Sequence, residues 1–462
     1  MVPWTIRPLR AGGRAAVIAA MLAPAVLASQ APAALSALSA TGSAIHASAA
    51  STIVPGNVGR TSIALVATYD VHLTLNYGSR AIAASSTMTV TNASGRPIDR
   101  LELNTIAARL GRLRLGPITV DDRRVTPSVR DQTILVPLGG ILPAGSTATV
   151  HLSFRASLRS GLAGSDWLFT RANGIVDLYR WLPWISLARP FTRPNYGDPF
   201  YTASSPYVRV RMTTDRPLVI AATGARIGGS ALSQTFEARD VRDFTITASP
   251  SYTVRTAHVG STTIRLYSRP GFAAASVLAY VTQALSREGA LAGTYPYATF
   301  SVAQSAGGDG MESPQLIWLP REAAGSHLRW LTYHETAHQW FYGIVGSDQA
   351  RQPFADEAAA DQLARTASGI WRGSRCAAAR LDLSIYRYSA GCYFEIVYVQ
   401  GSRFLDRIRA GMGSARYWAA IRGYIDGHRF GRGSTRALLD ALDAATPVDL
   451  RPTFAPRFPS LY

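Results

Sequence analysis

Between Thr61 and about Arg255, apolar side chains alternate with polar ones: Tyr69, Val71, Leu73 and Leu75, then Met88 and Val90, then Val150, Leu152 and Phe154. Successive side chains of an extended chain point to opposite faces, so this alternation predicts strands that each lay one face on a core. Asn92-Ala-Ser-Gly95 and Pro143-Ala-Gly145 supply turn residues between the runs. The expectation is a β domain over residues 61–255 made of antiparallel sheets. From about Gly271 the period changes. The Ala/Leu-rich run Phe272 to Leu291 predicts a helix, strand-like patches remain at Thr299 to Val302 and Gln315 to Leu319, and helix-compatible sequence returns over Trp330 to Val345 and again after Pro353. Residues 256–462 are therefore expected to form a second, mainly helical domain. The stretch Tyr179-Arg-Trp-Leu-Pro-Trp184 can face that neighbour, the solvent or the core.

The 462 residues, 47% hydrophobic and 16% charged, suit two or three packed domains rather than a disordered chain. A formal net charge of +18 comes entirely from arginine, spread along the chain instead of gathered in a basic stripe, so nucleic acid is not the expected partner. Residues 1–33 read as an export signal: Arg7, Arg10 and Arg14 precede the apolar run Ala15 to Ala28, and small-residue cleavage sites follow. That run is short for a membrane span, which needs roughly 20 residues. The segment is either cleaved or kept as an anchor, and no stable membrane insertion is expected beyond it. A Ser/Ala-rich linker over residues 34–60 leads into the β domain. An exported chain, secreted or associated with the cell surface, places its only cysteines, Cys376 and Cys392, in an oxidising compartment, where they either pair or stay as two buried thiols. The oligomeric state is not legible.

The chemistry lies in the second half. His334-Glu335-Thr336-Ala337-His338 sits in a helix-compatible stretch, and residues four apart on a helix lie one above the other, so both imidazoles can hold one zinc ion. Glu335 lies about 100° round the helix, a position suited to contacting water at the metal rather than to ligation. Glu357 is the candidate third ligand. It lies 18 residues beyond His338, enough for the first helix to end and the chain to return a carboxylate, and it leaves one position open for water or substrate. Asp361, one turn further, can orient a ligand histidine. Given how few His and Glu the chain contains, a chance HExxH arises in about two or three such sequences per thousand.

These residues, together with His338-Gln-Trp-Phe341, Tyr295-Pro-Tyr297, Gly310-Met-Glu312 and Tyr398-Val-Gln-Gly401, resemble the aminopeptidase N family of zinc peptidases, gluzincins with a thermolysin-like catalytic domain. The resemblance implies an α+β multidomain fold: a saddle-like antiparallel β domain, then a thermolysin-like domain, without the large C-terminal helical domain of many relatives. It also implies one Zn2+ per chain, peptide substrates, Glu335 as general base, Tyr398 as donor to the oxyanion, and Gly310, Met311 and Glu312 along the substrate with Glu312 on its free amine. Several positions depart from the family pattern. Ala358 replaces the glycine after the third ligand, Gln400 replaces the lysine of Tyr-x-Lys-Gly, the interval from Glu357 to Tyr398 is short, and the β domain offers no second carboxylate for the amine. The expected cleft is open and its Glu312 exposed. The reading is an exported zinc aminopeptidase. Its alternatives are a zinc endopeptidase with an open cleft and a silent secreted peptide-binding or cell-envelope protein.

Overall fold

The computed structural model describes residues 52–191, 199–389 and 391–462, so the expected export signal lies outside the described residues. The alternating segments form an eight-stranded sheet in the order Ala225–Gly229, Ser233–Ala238, Val208–Thr214, Leu65–Asn76, Ala81–Asn92, Thr147–Ser157, Arg114–Val120, Arg123–Val125. Its central strands bury every second residue, as Leu65, Ala67, Tyr69, Val71, Leu73 and Leu75 do. One pairing departs from the expected antiparallel pattern: Leu65–Asn76 runs parallel to Val208–Thr214. These strands are joined by a long excursion through other sheets, and a parallel neighbour requires such a crossover.

A five-stranded sheet containing Ile98–Asn104 and Thr133–Leu142, and a four-stranded sheet containing Ile175–Leu178 and Ile246–Ser249, complete the β-rich part. The next sheet is mixed, in the order Thr253–Val259, Thr262–Ser268, Thr299–Gln304, Leu316–Leu319, Met311–Ser313. Thr262–Ser268 and Thr299–Gln304 are parallel, and the helix α1 (Ala274–Ala292) makes their crossover. Five further helices of ten or more residues follow among the described residues: α2 (Gly325–Ala337), α3 (Glu357–Ser368), α4 (Gly401–Met412), α5 (Ser414–Gly427) and α6 (Thr435–Ala444). Among the described residues no helix is long and apolar enough to cross a membrane.

The two textures pack as one compact unit over residues 51–462. Trp318 and Leu316 of the mixed sheet belong to the apolar core of the β-rich part. The aromatic stretch faces that junction: Tyr179 meets Trp318 edge-on at 6.1 Å between ring centres, and Arg180 Nη2 donates to Gln349 Oε1 at 3.4 Å. Cys376 and Cys392 are joined in a disulfide. It closes the loop between α3 and the helical turn Glu395–Gln400.

Candidate metal centre

His334 and His338 lie one turn apart at the end of α2, and Glu357 is the first residue of α3. Their donor atoms converge. The two Nε2 atoms are 3.2 Å apart, and Glu357 Oε2 is 3.4 Å from that of His334 and 3.2 Å from that of His338. Ligands at 2.0–2.1 Å around a tetrahedral zinc stand about 3.3 to 3.4 Å from one another. The triangle therefore fits a single zinc ion, with a fourth position left toward the cleft. All three side chains are buried, and Glu357 Oε2 has no hydrogen-bond donor. Two imidazoles and one carboxylate are the donor set of a catalytic zinc site.

The sequence is helix-compatible as far as Val345. In the structure α2 ends at Ala337, a π-helical turn spans Gln339–Ile344, and Phe341 and Tyr342 leave helical geometry. Side chains capture the backbone there. His338 Nδ1 pairs with the Phe341 carbonyl at 3.0 Å, while the Gln339 amide donates to the Ser313 carbonyl at 2.9 Å and accepts from Gln315 N at 2.8 Å. The Gln339 bonds tie the metal helix to the edge strand Met311–Ser313.

Asp356, which the sequence reading missed, accepts from His338 Nδ1 at 2.9 Å and so leaves Nε2 as the metal-facing nitrogen. The Asp356-Glu357 doublet was the available signal, but nothing in the sequence says which carboxylate turns to the imidazole. Asp361 stands 3.7 Å from His334 Nδ1, beyond hydrogen-bond range. Its oxygens take Trp330 Nε1 at 2.8 Å and the Arg365 guanidinium, and the Trp330 indole stacks on His334 at 5.2 Å. Asp361 thus fixes the ring that covers the ligand. Burial works against charge on His338, yet Asp356 and Glu357 outweigh it and raise the imidazole's proton affinity. Burial likewise opposes ionisation of Glu357, and the two histidines hold it below the usual carboxylate range. Four carboxyl groups, those of Glu312, Glu335, Asp356 and Glu357, are buried around this site, and a divalent cation would offset the charge they carry when ionised.

Glu335 lines the same cleft. The backbone of Gly310 lies flush against its carboxylate, so that a Cβ at Gly310 would collide with Glu335 Oε1. Burial pushes the Glu335 carboxyl well above its ordinary value, with His338 opposing. Tyr398, in the π-helical turn Glu395–Gln400, has its ring centre 5.2 Å from that of His334, and burial keeps its phenol protonated far into the alkaline range. Tyr393 is fully buried and lies outside the cleft lining. Gln400 fastens the loop after α3: its amide donates to Ser374 Oγ and to the carbonyls of Cys376 and Ala377, each at 3.0 Å.

Glu312 is 6% exposed, contrary to the expectation of an exposed carboxylate, because its strand is wedged between Leu316–Leu319 and the metal helix. Its Oε1 accepts from Gln349 Nε2 at 3.1 Å. Gly310, Met311 and Glu312 all face the cleft, whose volume is about 400 Å³. Trp167, Tyr179, Phe191 and Phe200 form its wall on the β-rich side, and Trp330 and Phe394 on the helical side. Although the chain carries +18, no arginine is among the described residues lining this cleft, whereas Asp309, Glu312, Glu335 and Glu357 are.

No family model matches this sequence, and no curated protein matches it significantly. Solved structures do. A mutant of the M1 zinc metallopeptidase from Deinococcus radiodurans superposes with a TM-score of 0.68 at 19% identity, over 88% of this chain and 96% of that one. A two-domain M1 zinc metallopeptidase mutant bound to L-tryptophan gives 0.67 at 20% identity, over 87% and 96%. The mutant bound to a Tyr-Ser-Ala substrate, also from Deinococcus radiodurans, gives 0.66 at 19% identity, over 88% and 96%. The chain has the fold of these enzymes.

Proposed function

We propose that the chain is a zinc-dependent metallopeptidase that removes the first residue of peptides with a free amino terminus. The observation that carries this reading is the gathering of His334, His338, Glu357, Glu335 and Glu312 in one cleft of about 400 Å³. The solved structures that share the fold support it, since they include complexes with an amino acid and with a tripeptide substrate.

His334, His338 and Glu357 would hold the zinc ion, which when bound supplies Lewis acidity to a carbonyl and to water. Glu335, beside the ligands, takes the proton of the attacking water and returns it to the leaving amine. Tyr398, held protonated by burial, donates a hydrogen bond to the oxyanion. Glu312 pairs with the substrate ammonium, and the Gln349 amide holds the carboxylate in place. The acidic lining, without an arginine among the described residues, favours a cationic amine over an acidic peptide end, and the aromatic walls suit an apolar first side chain. Export with a secreted or cell-surface location is part of the proposal and rests on the N-terminal sequence alone.

A panel of aminoacyl and N-acetylated fluorogenic peptides, read with and without chelator, tests the reading. Free-amine substrates should be cleaved in preference, and Glu312→Ala should raise their KM by about tenfold or more, because a buried ion pair loses more than a surface pair when one partner is removed. Equal cleavage of blocked and free peptides, unchanged by Glu312→Ala, would move the function to an endopeptidase. Absence of any chelator-sensitive cleavage would favour a silent peptide-binding protein. Tyr398→Phe should lower kcat by about a hundredfold with little change in KM, since the phenol meets charge only in the transition state. A similar loss at Tyr393→Phe with none at Tyr398→Phe would transfer the role.

A further inference from the structure

Between the strand Thr299–Gln304 and the edge strand Met311–Ser313 the chain makes a loop, residues 305–310, that closes one side of the cleft. Two of its glycines are needed for close approach. A Cβ at Gly308 would strike the Trp167 ring, and one at Gly310 would strike the Glu335 carboxylate. The loop is thus shaped to lie against a cleft wall and the general base, and any shift of it reaches Glu335 and, one residue beyond Met311, Glu312.

What holds this loop comes from the β-rich part. Asp177, fully buried in the strand Ile175–Leu178, accepts from Ala306 N through Oδ2 at 2.7 Å. Its Oδ1 accepts from Thr247 Oγ1. Asn173, in the turn before that strand, donates from Nδ2 to the Ala306 carbonyl at 2.8 Å. Both backbone groups of Ala306 are therefore clamped by one hairpin. The neighbouring Gln304 is held as well, its carbonyl by Tyr252 OH and its side-chain oxygen by Arg269 N at 2.9 Å.

We propose that Asp177 is a positioning residue of the cleft, one that fixes the loop 305–310 through Ala306 and thereby sets the placement of Glu335 and Glu312. The role rests on the peptidase reading above. Among the described residues this buried carboxylate is served by a hydroxyl and a peptide N–H and by no cation, a poor choice for stability alone because desolvation of its charge goes uncompensated. Burial accordingly pushes its carboxyl up to about 7.

The test compares the parent with Asp177→Val, Asp177→Asn and Asn173→Gly in the zinc-loaded full chain. Asp177→Val should lower kcat by about tenfold or more while KM changes less, since small misplacements of catalytic groups are costly, with zinc content close to that of the parent and a kcat loss beyond what the lowered Tm from the unpaired Ala306 N–H explains. Asp177→Asn, whose amide oxygen still accepts from Ala306, should recover most of that loss. Hydrogen exchange should quicken at residues 305–310 in Asp177→Val. Full turnover in Asp177→Val, loss of kcat only in step with Tm and zinc, or no rescue by asparagine would overturn the proposal. If the valine variant does not fold, Asn173→Gly decides: it removes only the bond to the Ala306 carbonyl, and unchanged kcat and exchange overturn the clamp. The exchange measurement stands whether or not the parent cleaves peptides, so an inactive parent refutes the peptidase reading while the clamp is judged separately.

Discussion

Replacement of His338 by alanine should lower bound zinc from about one per chain to near zero and take hydrolysis with it. Three donors spaced for one tetrahedral ion become two, and the imidazole that Asp356 orients is gone. The effect is not confined to the metal. Asp356 Oδ1 loses its donor in a fully buried setting, a deficit of about 1 to 3 kcal/mol. Elemental analysis after chelation and reconstitution, with Tm alongside, reads both effects. Zinc remaining near one per chain in His338→Ala would show that the ion is held elsewhere.

Glu335→Gln separates binding from chemistry. The amide keeps the shape that Gly310 fits against but cannot take a proton, so zinc should stay near one per chain while kcat falls by about a hundredfold or more. Substrate affinity should change little, because Glu335 is proposed to contact the attacking water rather than the peptide. Turnover equal to the parent would remove Glu335 from the reaction and leave the metal site standing. The pair of variants therefore distinguishes a misplaced metal from a misassigned base.

The metal set was legible because its spacing is local. Four residues within a helix place His334 and His338, and a short return places Glu357, so each needs only helix geometry and loop length. The alternation around Tyr69 and Val150 was legible for the same reason, since strand periodicity is a property of neighbours along the chain. What stayed hidden was set by which side chains bond which, and mostly by contacts distant in sequence. The helix stops at Ala337 because His338 and Gln339 bind backbone at 341, 313 and 315. Asp356 rather than Asp361 bonds a ligand histidine because Trp330 and Arg365 claim the latter's oxygens. Glu312 is buried by the pairing of its strand with Leu316–Leu319, which no local pattern around Met311 announces.

One wall of the cleft and the metal ligands come from different stretches of the chain. Trp167, Tyr179, Phe191 and Phe200 precede the first metal ligand by more than a hundred residues and lie in the β-rich part, whereas the metal ligands and the proposed base and oxyanion donor fall between His334 and Tyr398. Substitutions at these four wall positions can therefore change which first side chains are accepted without touching a metal ligand. A library confined to positions 167, 179, 191 and 200, which leaves Asn173 and Asp177 untouched, would be expected to redraw the substrate profile while metal content stays constant, making this aromatic wall the natural target for retuning selectivity by directed evolution.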